Sequence, residues 1–158
     1  MPKTKKETKE PKTLKEVKAP EVKIEEGDKG RYLEAIGRRK TSIARLRLFT
    51  KGEKDFIINK KPFNVYFPIL ELQQIVQSPL EKMKCQDKFF IEVRVKGGGF
   101  HSQAEAVRHA LSRALVMFNT DFKKRLKKSG YLTRDSRMRE RKKFGLKRAR
   151  RAPQWAKR

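Results

Sequence analysis

The residues of this sequence that most clearly indicate a chemical role are the cations of its C-terminal segment. Residues 123–158 contain 17 Lys or Arg and two acids, Asp135 and Glu140, which leaves +15 of the chain's net charge of +25 in this segment. A free segment with so many like charges and so few apolar residues repels itself, and it needs a polyanion to become ordered. The segment is therefore predicted to bind a polyanion.

Two aromatic residues, Phe144 and Trp155, lie among these cations. Aromatic rings interleaved with Arg can stack on nucleic-acid bases. Such rings also pack against the sugars of a partner or against a neighbouring protein, and the sequence favours neither interpretation. Pro153 restrains the backbone near the chain end and favours an extended path there.

Three consecutive glycines, Gly97 to Gly99, follow a predicted strand and precede a predicted helix. The dinucleotide-binding pattern would need a glycine at Ser102, and the Walker pattern would need a Gly-Lys-Ser/Thr run, so neither is present. The run is interpreted as a connection that needs positive φ or close backbone approach. Contact of its amides with an RNA phosphate stays open as the alternative.

The sequence offers little for metal or enzyme chemistry. His101 and His109 are eight residues apart, without Cys or carboxylate at ligand spacing, so no metal site is predicted. The single cysteine, Cys85, excludes an internal disulfide framework. No pair of carboxylates is placed for general acid–base work. The chain is predicted to be neither an enzyme nor a cofactor-binding protein.

Length and charge divide the 158 residues into one domain with a segment on either side. Residues 1–30 are rich in Lys, Glu, Thr and Pro and are predicted to be a disordered extension, since they bury too little to offset ordering entropy. A short helix near residues 14–17 that forms on binding is the alternative. Residues 31–129 are predicted to be a globular RNA-binding domain, and residues 130–158 an extended basic tail.

The sequence also bears on the compartment. No apolar run approaches the roughly 18–20 residues needed to span a bilayer. The N-terminus lacks the apolar core of a signal peptide, and the seven acids among residues 1–30 argue against an organellar transit peptide. Together with the lone cysteine, these features favour a soluble cytoplasmic protein with no membrane partner.

Alternating residues within the domain predict how some of its cations are positioned. Residues 32–36 and 43–49 read as strands, with residues 37–40 as the turn between them. Ala44, Leu46 and Leu48 fall on one face of the second strand, and Arg45 and Arg47 fall on the other. An arginine-bearing outer face suits a phosphate-rich partner, while a solvated edge face is the equally weighted alternative.

The remaining pattern predicts the other elements. Residues 56–58 and 89–95 read as strands, and residues 69–77 as a helix that Ser78-Pro79 ends. Ser102 and Glu105 form a predicted capping box that starts a helix, and residues 121–128 form a second, short helix. The order of elements predicts an α+β fold in which helices pack on one face of a small sheet.

Three motifs, in order, carry a resemblance to a known family. Together they resemble the ninth small-subunit ribosomal protein family, bacterial type. The first motif is residues 37–45 (GRRKTSIAR), and the second is the glycine run with residues 103–104 (QA) and 107–115 (VRHALSRAL). The third is residues 132–135 (LTRD) with 143–154 (KFGLKRARRAPQ). The likeness spans about residues 31–158. It implies a two-layer ribosomal α+β fold with a left-handed βαβ crossover, and residues 1–30 have no counterpart in the common short form.

The resemblance also implies a function and its partners. The protein would be a structural constituent of the small ribosomal subunit, cytoplasmic and ribosome-bound, placed in the head on the three-prime major domain of the ribosomal RNA beside neighbouring head proteins. The tail would thread through that RNA, and its end would reach the P-site tRNA through Arg158, with Lys157 close by. The residues assigned to ribosomal RNA binding are Arg38, Arg39, Lys40, Arg45, Arg47, Lys143, Lys147, Arg148, Arg150 and Arg151.

A second hypothesis is a free basic nucleic-acid-binding or RNA-chaperone protein. It explains the net charge. It does not explain the combination of a patterned domain with a motif-bearing tail.

Overall fold

A computed structural model describes residues 31–51 and 54–156. The predicted disordered extension, residues 1–30, and the predicted tRNA contacts, Lys157 and Arg158, lie outside the described residues. The elements, in chain order, are β1 (Tyr32–Arg39), β2 (Ser42–Phe49), β3 (Phe56–Ile58), β4 (Lys61–Pro62), α1 (Phe63–Tyr66), α2 (Leu70–Met83), β5 (Phe90–Lys96), α3 (Phe100–Phe118) and α4 (Phe122–Lys128).

The described strands form one sheet in the order β1-β2-β5-β3-β4. β2 pairs antiparallel with both β1 and β5, and β4 pairs antiparallel with β3. β3 pairs parallel with β5, so the chain returns between them through α1 and α2 as a βαβ unit. The mixed sheet with its helices confirms the predicted α+β class.

Alternation along the central strands separates an apolar face from a charged one. Ala44, Leu46 and Leu48 are fully buried, as predicted, while Arg45 points to the opposite face. α3 packs on β1 and β2, and α2 packs on α3. One core cluster joins the inward face of the sheet to these helices. Each large apolar side chain buried there contributes about 1.5–3 kcal/mol.

Glycines permit the close approach of α3 to the sheet. A Cβ at Gly37 would lie 2.0 Å from the Ala106 carbonyl oxygen of α3. Gly97 and Gly98 have φ of +76° and +66°, and a Cβ at Gly98 would lie 2.1 Å from Ser42 Oγ. The interpretation of the glycine run as a tight connection is therefore confirmed.

The predicted end of the second helix at Ser78-Pro79 is wrong. α2 continues through Pro79 to Met83. Proline removes the amide that would bond to the carbonyl of residue 75, and Ser78 Oγ donates to that Ile75 oxygen at 2.9 Å instead. The helix ends where Lys84 adopts the left-handed conformation.

The predicted capping box is also wrong. The N-cap of α3 is Gly99, three residues before Ser102, and Ser102 is the third residue of the helix. Its Oγ accepts a hydrogen bond from the Gly99 amide at 3.1 Å, and its hydroxyl lies 2.7 Å from Ser42 Oγ. Glu105 forms an ion pair with Arg39. The short helix α4, by contrast, lies where the sequence predicts it.

We expect Gly37→Ala to destabilise the protein by about 1–3 kcal/mol, because its methyl group would overlap the α3 backbone and force the helix away from β1. Gly99→Ala is the matched control, since no atom lies within 4 Å of its added Cβ and its φ is −101°. Urea denaturation measures both free energies of unfolding. Equal stability of the two variants would contradict the close contact.

Candidate nucleic-acid interface

The outer face of the sheet collects cations from three neighbouring strands. In the pairing register, Arg45 of β2 lies opposite Arg94 of β5, and Ile43 lies between Arg38 of β1 and Lys96 of β5. The exposed fractions of the Arg45 and Arg94 side chains are 57% and 67%. Strand pairing therefore builds a basic area from residues that are distant in sequence.

Acids neutralise only part of this charge. Glu34 pairs with Arg45 at 3.2 Å and with Arg47 at 3.8 Å. Glu92 lies 3.7 Å from Arg94. Like charges directly opposite each other across strands are destabilising, so the Arg45–Arg94 pair gains from an anion placed between the two guanidinium groups.

Aromatic side chains occupy the other end of the outer face. Tyr32 and Phe90 flank Phe49 across the three strands, with ring centroids 5.5 and 5.4 Å from that of Phe49. The Arg47 guanidinium lies 5.0 Å from the centroid of the Tyr32 ring. The row of tilted rings therefore ends in a cation–π pair beside the basic area.

Downstream of α4, the chain continues to residue 156 without a helix or a strand. Residues 131–156 contain ten Lys or Arg, and all ten are exposed. Seven of them form no ion pair with any described residue; these are Arg134, Arg139, Arg141, Lys142, Lys147, Arg148 and Arg151. This part of the tail carries most of its positive charge unneutralised.

Within the tail, Glu140 holds a local fold-back. Its carboxylate pairs with Lys143 and with Arg150, each at 2.9 Å, and these two cations lower the pKa of the Glu140 carboxyl. The Lys147 amide donates to the Arg151 carbonyl oxygen at 2.7 Å. The side chains of Lys143 and Arg150, both predicted RNA contacts, therefore share one acid.

Both aromatic side chains of the tail are exposed. Phe144 is 100% exposed within the fold-back, and Trp155 is 86% exposed near the chain end. Both rings are free to stack on bases or to contact a neighbouring protein, so the two interpretations drawn from the sequence stay open.

Arg39 occupies a different place from the other predicted RNA-binding residues. It points to the helical side of the sheet, where its guanidinium pairs with Glu105 of α3. The same group pairs with Asp135 at 2.9 Å and donates to the Arg137 carbonyl oxygen at 3.1 Å. Arg39 thus joins the β1–β2 hairpin and α3 to the beginning of the tail.

Asp135 is the tail residue whose ion pair with Arg39 anchors the tail to the domain. Hydrogen bonds from Arg137, followed by the charges of Arg137 and Arg39, hold the pKa of the Asp135 carboxyl well below its usual range. The carboxylate is therefore ionised at every physiological pH.

Further contacts hold the residues between α4 and this anchor. Tyr131 and Leu132 pack against the core, and the Arg108 guanidinium lies 5.5 Å from the Tyr131 ring centroid. His109 Nδ1 accepts a hydrogen bond from the Arg38 backbone amide at 3.4 Å. This hydrogen bond requires an unprotonated Nδ1, and hence a neutral imidazole.

Burial, followed by the charge of Arg113, lowers the pKa of His109. Arg134 and Arg108 act in the same direction, while a hydrogen bond with the Leu132 backbone opposes them. The lowered pKa favours the neutral imidazole that the hydrogen bond to β1 needs.

The structure adds two cations that the sequence reasoning missed. Arg94 and Lys96 alternate with buried Val93 and Val95, the same signal that identified Arg45 and Arg47 on β2.

The other predicted RNA-binding residues lie at three places. Lys40 lies exposed at the β1–β2 turn with φ of +50°. Arg38, Arg45 and Arg47 share the outer face, whereas Lys143, Lys147, Arg148, Arg150 and Arg151 lie along the tail.

Searches of the described residues for a metal site and for a membrane-spanning helix are both negative. Residues 31–51 and 54–156 contain no group of three His, Cys, Asp or Glu side chains placed to hold a metal ion. Within the same ranges, no helix has the length and apolar content to cross a membrane. Cys85 is buried and unpaired by any disulfide.

Comparison with known proteins gives the class of protein that carries this arrangement. A family model described as "Ribosomal protein S9/S16" matches residues 37–158. The chain therefore belongs to this family of ribosomal proteins, which confirms the resemblance carried by its motifs. The chain is similar to the small ribosomal subunit protein uS9 of Amoebophilus asiaticus (strain 5a2), with 50% identity over 126 residues that cover 80% of this chain and 98% of that protein.

We expect Arg39→Ala to release residues 133–137 from the domain, because it removes the ion pairs with Glu105 and Asp135. Hydrogen–deuterium exchange should quicken there by roughly tenfold, the effect of losing one charge-assisted hydrogen bond, while α3 stays protected. Arg38→Ala is the matched control, since the Arg38 side chain points to the outer face. Unchanged exchange at residues 133–137 in Arg39→Ala would contradict the anchor.

We expect His109 to make the folded protein less stable in mild acid. Its folded-state pKa lies below the ordinary value of 6.5, so the unfolded chain binds the proton more tightly. Stability is therefore lost as pH falls through 6.5 towards the folded-state pKa. His109→Gln should flatten this part of the thermal-stability profile, and His101→Gln should leave it intact. A profile of His109→Gln identical to that of the parent protein would contradict the assignment.

Proposed function

We propose that this protein is a structural constituent of the small ribosomal subunit that binds ribosomal RNA in the subunit head and reaches the P-site tRNA with the end of its tail. The proposal rests on family membership together with the geometry of the cations. A basic tail, anchored at one end to a small domain, is the single observation that carries it. The family is not known as a family of enzymes, and no enzymatic step is proposed.

The outer face of the sheet provides the first proposed contact with ribosomal RNA. Arg38, Arg45 and Arg47, with Arg94 and Lys96, bring positive charge to a face on which two acids leave most of it unneutralised. Each phosphate that such a cation neutralises releases counterions, which favours binding at low salt. The forked guanidinium groups also match phosphate geometry.

The tail provides the second proposed contact. Lys147, Arg148 and Arg151 are exposed and free of ion pairs with described residues, and Lys143 and Arg150 can exchange their shared acid for phosphates because exposed ion pairs are weak and screened by salt. Opening the fold-back would let the 21 residues beyond Arg137 span up to about 70 Å. A chain of that reach can follow folded RNA that a rigid domain cannot enter.

The end of the tail provides the proposed contact with tRNA. Motif position assigns it to Lys157 and Arg158, which follow ten exposed cations along one continuous segment. We further propose that the connection between β3 and β5 has the left-handed sense typical of the resembled ribosomal fold. We likewise propose that the chain divides into a domain, residues 31–129, and a tail, residues 130–158.

Sedimentation distinguishes this function from the second hypothesis. A small-subunit protein should stay bound to subunits in stoichiometric amount through a high-salt gradient, because a tail threaded through folded RNA resists release even though salt weakens each phosphate contact. A free nucleic-acid-binding or RNA-chaperone protein should instead be released into the soluble pool, and that result would overturn the proposal.

We expect deletion of residues 156–158 to leave subunit incorporation intact and to weaken P-site tRNA retention. Loss of each phosphate contact should speed tRNA dissociation roughly five- to eightfold at about 0.1 M salt. The control replaces Lys51 and Lys54 with Gln. It removes an equal number of positive charges, two, at positions far along the chain from the tail. Equal tRNA dissociation from the truncated and control subunits would contradict the tRNA contact.

A further inference from the structure

α4 is a short helix in which one edge is apolar and the rest is cationic. Phe122 packs against the core and Leu126, one turn later, is fully buried. The other five residues are Lys123, Lys124, Arg125, Lys127 and Lys128, and every one of them is exposed. All five fall in the segment 123–158 that is predicted to bind a polyanion, but none is among the residues assigned to ribosomal RNA binding.

These five cations are not neutralised by the domain. None of them forms an ion pair with a described residue, and α4 contains no acid of its own. Lys123 and Lys127, like Lys124 and Lys128, are four residues apart on the helix surface, a spacing at which like charges repel each other. The helix therefore carries a repulsion that an anion at its surface would relieve.

The position of α4 separates it from the outer face of the sheet. α4 packs on α3 and α2, so it lies in the helical layer, on the side of the sheet opposite Arg45 and Arg94. It also directly precedes Tyr131 and the anchored start of the tail. An anion bound there is distinct from one bound on the sheet.

We propose that the exposed surface of α4 binds the phosphate backbone of a second segment of RNA, so that the domain is held between RNA on its sheet face and RNA at α4. The inference rests on the proposed function and extends it to a further surface. Phosphate is favoured over an acidic protein because lysines are depleted in protein–protein interfaces, whereas lysine is an effective point charge for phosphate. Lys124, Lys127 and Lys128 lie farthest from the buried edge and are the expected contacts.

The test neutralises these three lysines in the full chain as Lys124→Gln, Lys127→Gln and Lys128→Gln. Glutamine keeps the helix propensity of lysine. Affinity is measured on a protein-free transcript of the three-prime major domain of small-subunit ribosomal RNA at several salt concentrations. We expect affinity to fall on the order of 10²-fold at about 0.1 M salt, and the slope of log affinity against log salt to fall by about 2–3.

A control variant carries Lys54→Gln, Lys82→Gln and Lys88→Gln, which removes the same charge from exposed positions outside α4. Thermal melts without RNA should show the α4 variant at least as stable as the parent, because its like-charge pairs are gone. Affinity and slope equal to those of the control would overturn the proposal, as would a defect that appears only when other subunit proteins are present. Failure of the parent protein itself to bind the transcript would count against the proposed function instead.

Discussion

The close packing of α3 on β1 and β2 is the contact on which the rest of this structure depends. Gly37 lets the helix backbone approach β1, and Gly98 lets the start of α3 approach Ser42. All helices that share the core then lie on one side of the sheet. No helix within residues 31–51 and 54–156 covers the outer face, and the alternation of β2 and β5 can fill it with cations without burying a charge.

The same contact also fixes where the tail leaves the domain. Arg39 extends from the end of β1 to α3 at Glu105 and to the tail at Asp135. Both acids of the tail are used in this way: Asp135 anchors it to the domain and Glu140 folds it on itself. The remaining cations stay exposed and available, so the segment is held at its base while most of its charge is left for a partner. Ordered RNA supplies the dense negative charge that such a segment lacks.

Sequence patterns predicted the parts of the fold that local chemistry determines. The two faces of β2 followed from alternation, and α4 from its helical signals. Other features depend on contacts that no local pattern contains. Arg38 and Arg39 read as one basic turn, but β1 continues to Arg39, so the two side chains point to opposite sides of the sheet. Only the pairing of β5 with β2 brings Arg94 beside Arg45.

Tertiary contacts and local compensation explain the errors at the helix ends. Ser78 satisfies the carbonyl that Pro79 leaves free, so a residue typical of a helix end lies inside α2. The Ser102 hydroxyl hydrogen-bonds with the Gly99 amide and with the Ser42 hydroxyl. Glu105 forms an ion pair with Arg39 instead of completing a capping box. In both places, a side-chain partner at a specific position outweighs the general preference of the residue type.

The structure of this protein bound within a small ribosomal subunit, determined at side-chain resolution, tests most directly whether the outer face of the sheet is an RNA-binding surface. We expect phosphate oxygens within hydrogen-bond distance of Arg45 and Arg94, with RNA continuing along the anchored tail. A subunit in which this face meets only solvent or protein, and in which Arg45 and Arg94 keep Glu34 and Glu92 as their sole partners, would contradict the proposal.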